Sequence, residues 1–262
     1  MPAKFEVVGI EFFLMMRLTK GLLFLSCFSM ISGTLLAQEI NQSENTTFRT
    51  RYGQPDIPGT FVMDFGFTQM MNYPDTLSNK FWASKSVNFY YYYDFKLGTS
   101  GITFSPGIGF AFDRYGFQKS ITLANPNEDT VQVVGLPIIQ PSWDVNKTKL
   151  IINYFEIPLE LRWHSNPNSF RRSFYVALGG KFGVLIDNST KIKYEVNDDK
   201  FKVKDKRDLS LNKIRYGFLV RMGYKGFSLF YYQNLSTLFE ENKGPLLSDP
   251  KSFSIGITMR GF

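Results

Sequence analysis

The chain has 262 residues, 17% of them aromatic, with 21 glycines and a formal charge of +7, a composition that suits one all-β domain. Its bases stand singly in alternating segments or in the solvated run 200–207. That spread excludes the gathered basic stripe of a nucleic-acid binder, so no nucleic acid is expected among its partners.

Residues 1–37 read as a signal peptide. Arg17 and Lys20 precede the apolar run 21–36, and Ala37 before Gln38 supplies a small residue for cleavage. Residues 1–15 carry Glu6 and Glu11 upstream of this pattern, which makes Met16 the expected start; an extra N-terminal helix is the rival reading. The one cysteine, Cys27, lies inside the apolar run, which continues past it to Leu36 where a lipoprotein would turn polar. Cleavage near Ala37 therefore leaves a chain of charge +6 without cysteine, excluding disulfides and thiolate metal sites. Residues 38–58 are polar and aperiodic and read as a flexible lead-in; residues 59–262 read as one barrel domain.

From Gly59 onward, segments alternate with period two, as strands with one apolar face do. The first, 61–68, sets Phe61, Met63, Phe65 and Phe67 against Val62, Asp64, Gly66 and Thr68. The second, 87–97, carries Tyr90, Tyr92, Asp94 and Lys96 on its polar side, and the third, 102–113, carries Gly107, Gly109 and Asp113. The fourth, 150–163, opposes Phe155, Ile157, Leu159, Leu161 and Trp163 to Glu156, Glu160 and Arg162. The fifth, 174–187, places Lys181 and Asp187 on the polar side; the sixth, 214–225, places Arg215 and Arg221 there. The last two are 227–238 and 252–262, the latter carrying Arg260. Connections alternate as well. Those at 98–101, 165–169 and 225–226 are tight, whereas 72–86, 114–149, 188–213 and 239–251 are long and polar. The expected fold is thus all-β: an eight-stranded antiparallel up-and-down transmembrane β-barrel with short periplasmic turns, long extracellular loops and both termini on the turn side.

A soluble lipocalin-like barrel would alternate too. Residue size separates the two readings, because the polar face holds many small residues, such as Gly107, Gly109, Gly179, Gly183 and Gly217, which a narrow lumen needs and a water-facing surface does not. Among them stand Asp64, Asp94, Lys96, Asp113, Glu156, Glu160, Arg162, Lys181, Asp187, Arg215, Arg221 and Arg260, expected to pair inside as a structural network. The opposite face is bulky and nearly uncharged over about ten residues per strand, enough to cross a bilayer at a tilt, with Tyr73, Trp82, Tyr115, Trp163 and Tyr224 as interfacial aromatics. Lipid contact requires closure, since an open edge would leave backbone groups unpaired.

The segments 104–110 (FSPGIGF), 154–161 (YFEIPLEL), 175–181 (YVALGGK) and 253–262 (FSIGITMRGF) resemble the PorT-like outer-membrane β-barrel family of Bacteroidota, over residues 59 to 262. The resemblance implies residence in a Gram-negative outer membrane, contact with its lipid and insertion by the barrel-assembly machinery. Terminal Phe262 resembles the assembly signal of such barrels, although it is out of phase with Phe253, Ile255, Ile257 and Met259. The family takes its name from a member needed for type IX secretion.

Catalytic chemistry is not expected. His164 is the only histidine and falls at a tight turn with Pro167, Glu156 and Glu160 have bases nearby, and Gly107-Ile-Gly109 lacks the third glycine of a dinucleotide fingerprint. No metal or cofactor is expected. The segments 75–77 (DTL) and 129–131 (DTV) match a short O-glycosylation pattern. These readings point to a non-enzymatic outer-membrane protein that meets an envelope partner or its surroundings through its loops, with an accessory role in type IX secretion as the narrower version. The alternatives are a small-solute channel or porin and a soluble lipocalin-like ligand binder.

Overall fold

Strands that are bulky on one face and small or charged on the other can satisfy both faces at once if the sheet curls until its ends meet. The computed structural model, described for residues 59–74, 77–118, 120–125, 130–167 and 173–261, does this. Its strands are β1 (Thr60–Met71), β2 (Lys85–Tyr92), β3 (Phe95–Leu97), β4 (Ile102–Gly116), β5 (Ile121–Ala124), β6 (Gln132–Gly135), β7 (Asp144–His164), β8 (Phe174–Val196), β9 (Asp199–Asp205), β10 (Ile214–Tyr224), β11 (Phe227–Asn234) and β12 (Lys251–Arg260). Neighbours run β10-β11-β12-β1-β2-β4-β7-β8, and β8 returns to β10, closing eight antiparallel staves. β3 resumes the β2 stave after Tyr93 and Asp94 and pairs with β4. β1 and β12 close the ring between the two ends of the domain, in a register that sets Met63 opposite Met259. The expected signal peptide with Met16, Cys27 and Ala37, the expected lead-in, Phe262, and residues 75, 76 and 129 of the glycosylation patterns lie outside the described residues.

Inside and outside follow the alternation. Phe61, Phe65, Phe110, Leu159, Phe182 and Ile257 point outward and are exposed, whereas Asp64, Tyr90, Glu156 and Arg221 are enclosed. The interfacial aromatics need correction. Trp82, Trp163 and Tyr224 are exposed at 76%, 50% and 52%, but Tyr115 is buried and Tyr73 packs against an internal apolar cluster. Tyr115 has the parity of Asp113, and that places it inside.

The loop end also departs from expectation. β7 spans 21 residues and β8 spans 23, so both rise past the rim, and β9 continues them as a hairpin. What read as loop 188–213 is largely sheet. Its turn, Asn197-Asp198, has φ of 50° and 68°, the two-residue geometry for which Asn and Asp are suited. Segment 114–149 likewise holds the β5–β6 hairpin and a helical turn, Leu136–Ile139. The loops are not simply polar. Leu77, Phe117, Ile121, Leu123, Leu209 and Phe239 join Leu150, Ile152 and Tyr154 in a buried cluster that closes the loop end of the lumen.

Candidate functional site

The lumen has no room for uncompensated charge, and the strands deliver acids and bases to it in equal number. From the turn end upward, Arg260 reaches Asp94 at 3.0 Å, and Asp94 also takes Arg162 at 2.6 Å. Arg162 turns its Nε to Glu160 at 2.7 Å; Glu160 accepts Arg221 at 3.3 Å and the Tyr92 hydroxyl at 2.5 Å. Arg221 grips Asp64 through both terminal nitrogens, at 2.7 and 3.2 Å, while Thr258 donates to Asp64 at 2.6 Å and to no other described carboxylate. Asp64 lies 3.8 Å from Lys181, which donates to the Tyr90 hydroxyl at 2.9 Å, and Tyr90 in turn donates to Glu156. Glu156 takes Arg215 at 2.6 Å, and Arg215 ends the series on Asp113 at 2.5 Å.

Ten of the twelve predicted lumen residues therefore form one chain of alternating charge. Each carboxylate is satisfied by at least one base, the condition under which buried charges are tolerated. The register explains the meeting: Gly109 lies opposite Glu156, and Glu160 faces Gly179, so the small residues make space for the acids beside them. A methyl group on Gly109 would sit 2.0 Å from the Phe89 carbonyl oxygen and 2.5 Å from the Tyr90 ring.

Lys96 and Asp187 stand apart from this chain. Lys96 is exposed in β3 at the turn end. Asp187 leaves the lumen because the β7–β8 register shifts: Asn153 pairs with Asp187, but Tyr154 pairs with Leu185, so Ile186 is an extra residue. Such a bulge reverses which alternate residues face inward. Asp187 consequently turns outward and meets Lys206 at 3.3 Å.

Tyrosines and hydroxyls complete the filling and were visible only as inward-facing positions. Arg162 lies over the Tyr92 ring at 4.5 Å, Lys181 over Tyr90 and Tyr232 at 4.7 and 4.8 Å, and Arg215 over Tyr154 at 3.8 Å, contacts that favour cations over aromatic faces. Below them His164 is buried, with its ring nitrogens 3.4 Å from Thr103 Oγ1 and 3.2 Å from Ser173 Oγ, stacked on Tyr175. These contacts pack the ring at the turn end of the lumen. Among the described residues no group of three or more His, Cys, Asp or Glu side chains is placed to hold a metal.

At the other end, the hairpin of β8 and β9 carries a second constellation. Trp143 stacks on Tyr194 at 3.7 Å with ring planes 8° apart, and Tyr194 stacks on Phe201 at 5.5 Å. Phe201 and Val203 are exposed at 46% and 39%. Tyr194 and Phe201 are directly opposed across the hairpin, so the ladder is built by register as well as by side-chain choice.

The family described as outer membrane protein beta-barrel domain matches residues 38–240. No curated protein matches. Among solved structures the chain is similar to Neisserial surface protein A, at 10% identity over 78% of this chain and 96% of that one, with a TM-score of 0.36. It is similar to Ail, the attachment invasion locus protein of Yersinia pestis, solved with the heparin analogue sucrose octasulfate, at 15% identity over 78% and 99%, TM-score 0.32. A Rhodopseudomonas blastica porin aligns at 8% identity over 77% and 98%, TM-score 0.18.

Proposed function

The chain belongs to the outer membrane protein beta-barrel domain family, and on that premise we propose that it is a non-enzymatic protein of the outer membrane that binds an envelope or extracellular partner through the hairpin above its rim. The observation that carries this reading is the ladder Trp143–Tyr194–Phe201, extended by exposed Val203. Apolar side chains grouped on a solvated projection mark an interaction surface. The projection is also held rigidly by a continuous sheet, so a partner can be met with little ordering cost. Conduction is the competing reading, and the filled lumen speaks against it: purified protein in planar bilayers is expected to be electrically silent.

The test is the triple variant Trp143→Ser, Tyr194→Ser, Phe201→Ser. It should still give the compact, heat-sensitive gel band of a folded barrel while losing cross-links to envelope partners and failing to complement a deletion strain. Full complementation with unchanged cross-links would refute the reading. Deletion of 114–149 would not isolate this surface, because Tyr115, Phe117, Ile121 and Leu123 would leave the cluster that closes the lumen. The narrower role in type IX secretion rests on the PorT-like resemblance, as does insertion by the barrel-assembly machinery; normal cargo secretion in the deletion strain would remove that role.

A further inference from the structure

The bulge that expels Asp187 also reverses every β8 residue beyond it, and this turns Lys191 and Lys193 onto the outer wall. There they meet Lys149 and Lys147 on β7, their direct cross-strand partners. β9 adds Lys204 opposite Lys191 and Lys202 opposite Lys193. Two rows of three lysines result, at roughly 4.8 Å between strands and about 6.6 Å between rows. Arg114, paired with Ile151, and Lys85, paired with Arg114, extend the array sideways.

Like charges directly opposed in a sheet repel. The nearby carboxylates are engaged elsewhere: Asp187 with Lys206, Glu195 with Lys200 and Asp205 with Arg207. Among the described residues no carboxylate pairs with any of the eight cations. The strain registers in the side chains themselves. Partial desolvation, followed by Lys147, Arg114, Lys85 and Lys191, pulls the Lys149 pKa below that of a free lysine, and desolvation followed by Lys202 and Lys193 does the same to Lys191. A groove of about 220 Å³ opens between Arg114, Lys147, Lys149, Lys191 and Lys193, with Ile151 in its wall.

We propose that this groove binds the phosphorylated headgroup of an outer-leaflet lipid, its phosphates among the lysines and Arg114 and its acyl chains on the apolar wall below. The choice of a lipid over a soluble polyanion comes from position. Ile151 shares the outward face of β7 with Phe155, Ile157, Leu159, Leu161 and Trp163, and Lys149 is the next outward residue above it. The cations therefore begin where the lipid-facing surface stops, the level at which phosphates sit in a bilayer. The site lies on the barrel wall, on the opposite face of the hairpin from the aromatic ladder, so it stands or falls independently of the partner-binding reading.

The experiment is binding of purified full-length barrel in neutral detergent to bisphosphorylated lipid A, read by native mass spectrometry. The comparisons are the dephosphorylated lipid and sulfated oligosaccharide as a soluble competitor. Lys147→Gln, Lys149→Gln, Lys191→Gln, Lys193→Gln combined should weaken binding by at least about tenfold, since each lysine near an anionic surface is worth roughly a fivefold factor. The same four positions changed to arginine should retain it, and Lys200→Gln with Lys206→Gln should leave it within about twofold. Equal binding of dephosphorylated lipid, or no loss in the quadruple Gln variant while its compact gel band persists, would overturn the proposal. Displacement of lipid A by the oligosaccharide at equal phosphate and sulfate concentration would overturn the assignment to lipid.

Discussion

Replacing Arg221 by methionine should cost the barrel about 3–5 kcal/mol, the range for removing one partner from a buried ion pair. Arg221 is 1% exposed and divides its guanidinium between Asp64, at 2.7 and 3.2 Å, and Glu160, at 3.3 Å. The two acids would not suffer equally. Glu160 keeps Arg162 at 2.7 Å and Tyr92 at 2.5 Å, whereas Asp64 is left with Thr258 at 2.6 Å and Lys181 at 3.8 Å. Most of the loss is thus an under-compensated carboxylate at Asp64. Neutralising it in the same chain, Arg221→Met with Asp64→Asn, restores the balance of lumen charge and should recover at least about 2 kcal/mol of the single-variant loss. The assay is urea unfolding of the refolded barrel in detergent micelles, followed by tryptophan fluorescence and by the compact gel band. A loss below about 1 kcal/mol for Arg221→Met, the range of exposed pairs, would mean that water screens the lumen, and the charge chain would no longer account for a closed interior.

Two further outcomes follow from the same interior. Met63→Cys with Met259→Cys, opposite each other across β1 and β12, should cross-link with a short thiol reagent in high yield, and in lower yield once Arg221→Met and Asp64→Asn are added; equal yields would separate register from the charge network. Gly109→Val should abolish the compact band, because the new side chain meets the Phe89 carbonyl and the Tyr90 ring, while Gly98→Ala, at φ 67° in open space, should cost only about 1 kcal/mol and still assemble.

The staves were legible because period two survives any detail of packing. Val87, Phe89 and Tyr91 against Asn88, Tyr90 and Tyr92 state which way each side chain faces before any partner is known. The same rule named Asp64, Glu160, Arg162 and Arg221 as neighbours inside, though it could not say which pairs with which. It failed at Asp187, because a single extra residue, Ile186, resets the phase and leaves no mark in an alternating string. It was also misapplied above the rim. Lys191 to Val196 keeps alternating, and Asn197-Asp198 is a hairpin turn signal, yet the lysines made the segment look like solvated loop. The apolar cap was hidden differently. Leu77, Phe117, Leu209 and Phe239 are scattered through four connections, and only the closed ring brings them to one place.

The lumen and the wall place different demands on the sequence, and the difference explains why so much charge is buried inside the barrel. On the wall one apolar residue serves as well as another. If β1 slid by two residues against β12, Phe65 would still face lipid beside an isoleucine or a methionine, and the exterior would register almost no loss. Inside, the same slide would carry Asp64 about 6.6 Å along the strand, away from Arg221 on β10 and Thr258 on β12, leaving a buried carboxylate without its strongest partners. A two-residue slip preserves the face pattern, so alternation cannot forbid it; only specific pairs can. The alternating chain from Arg260 to Asp113 draws on β4, β7, β10, β12, β1 and β8, and it therefore fixes the stagger of most of the ring at once. That fixed stagger is what sets Lys149 beside Lys191 above the rim, so the register held by the interior determines the lysine wall the barrel presents outside.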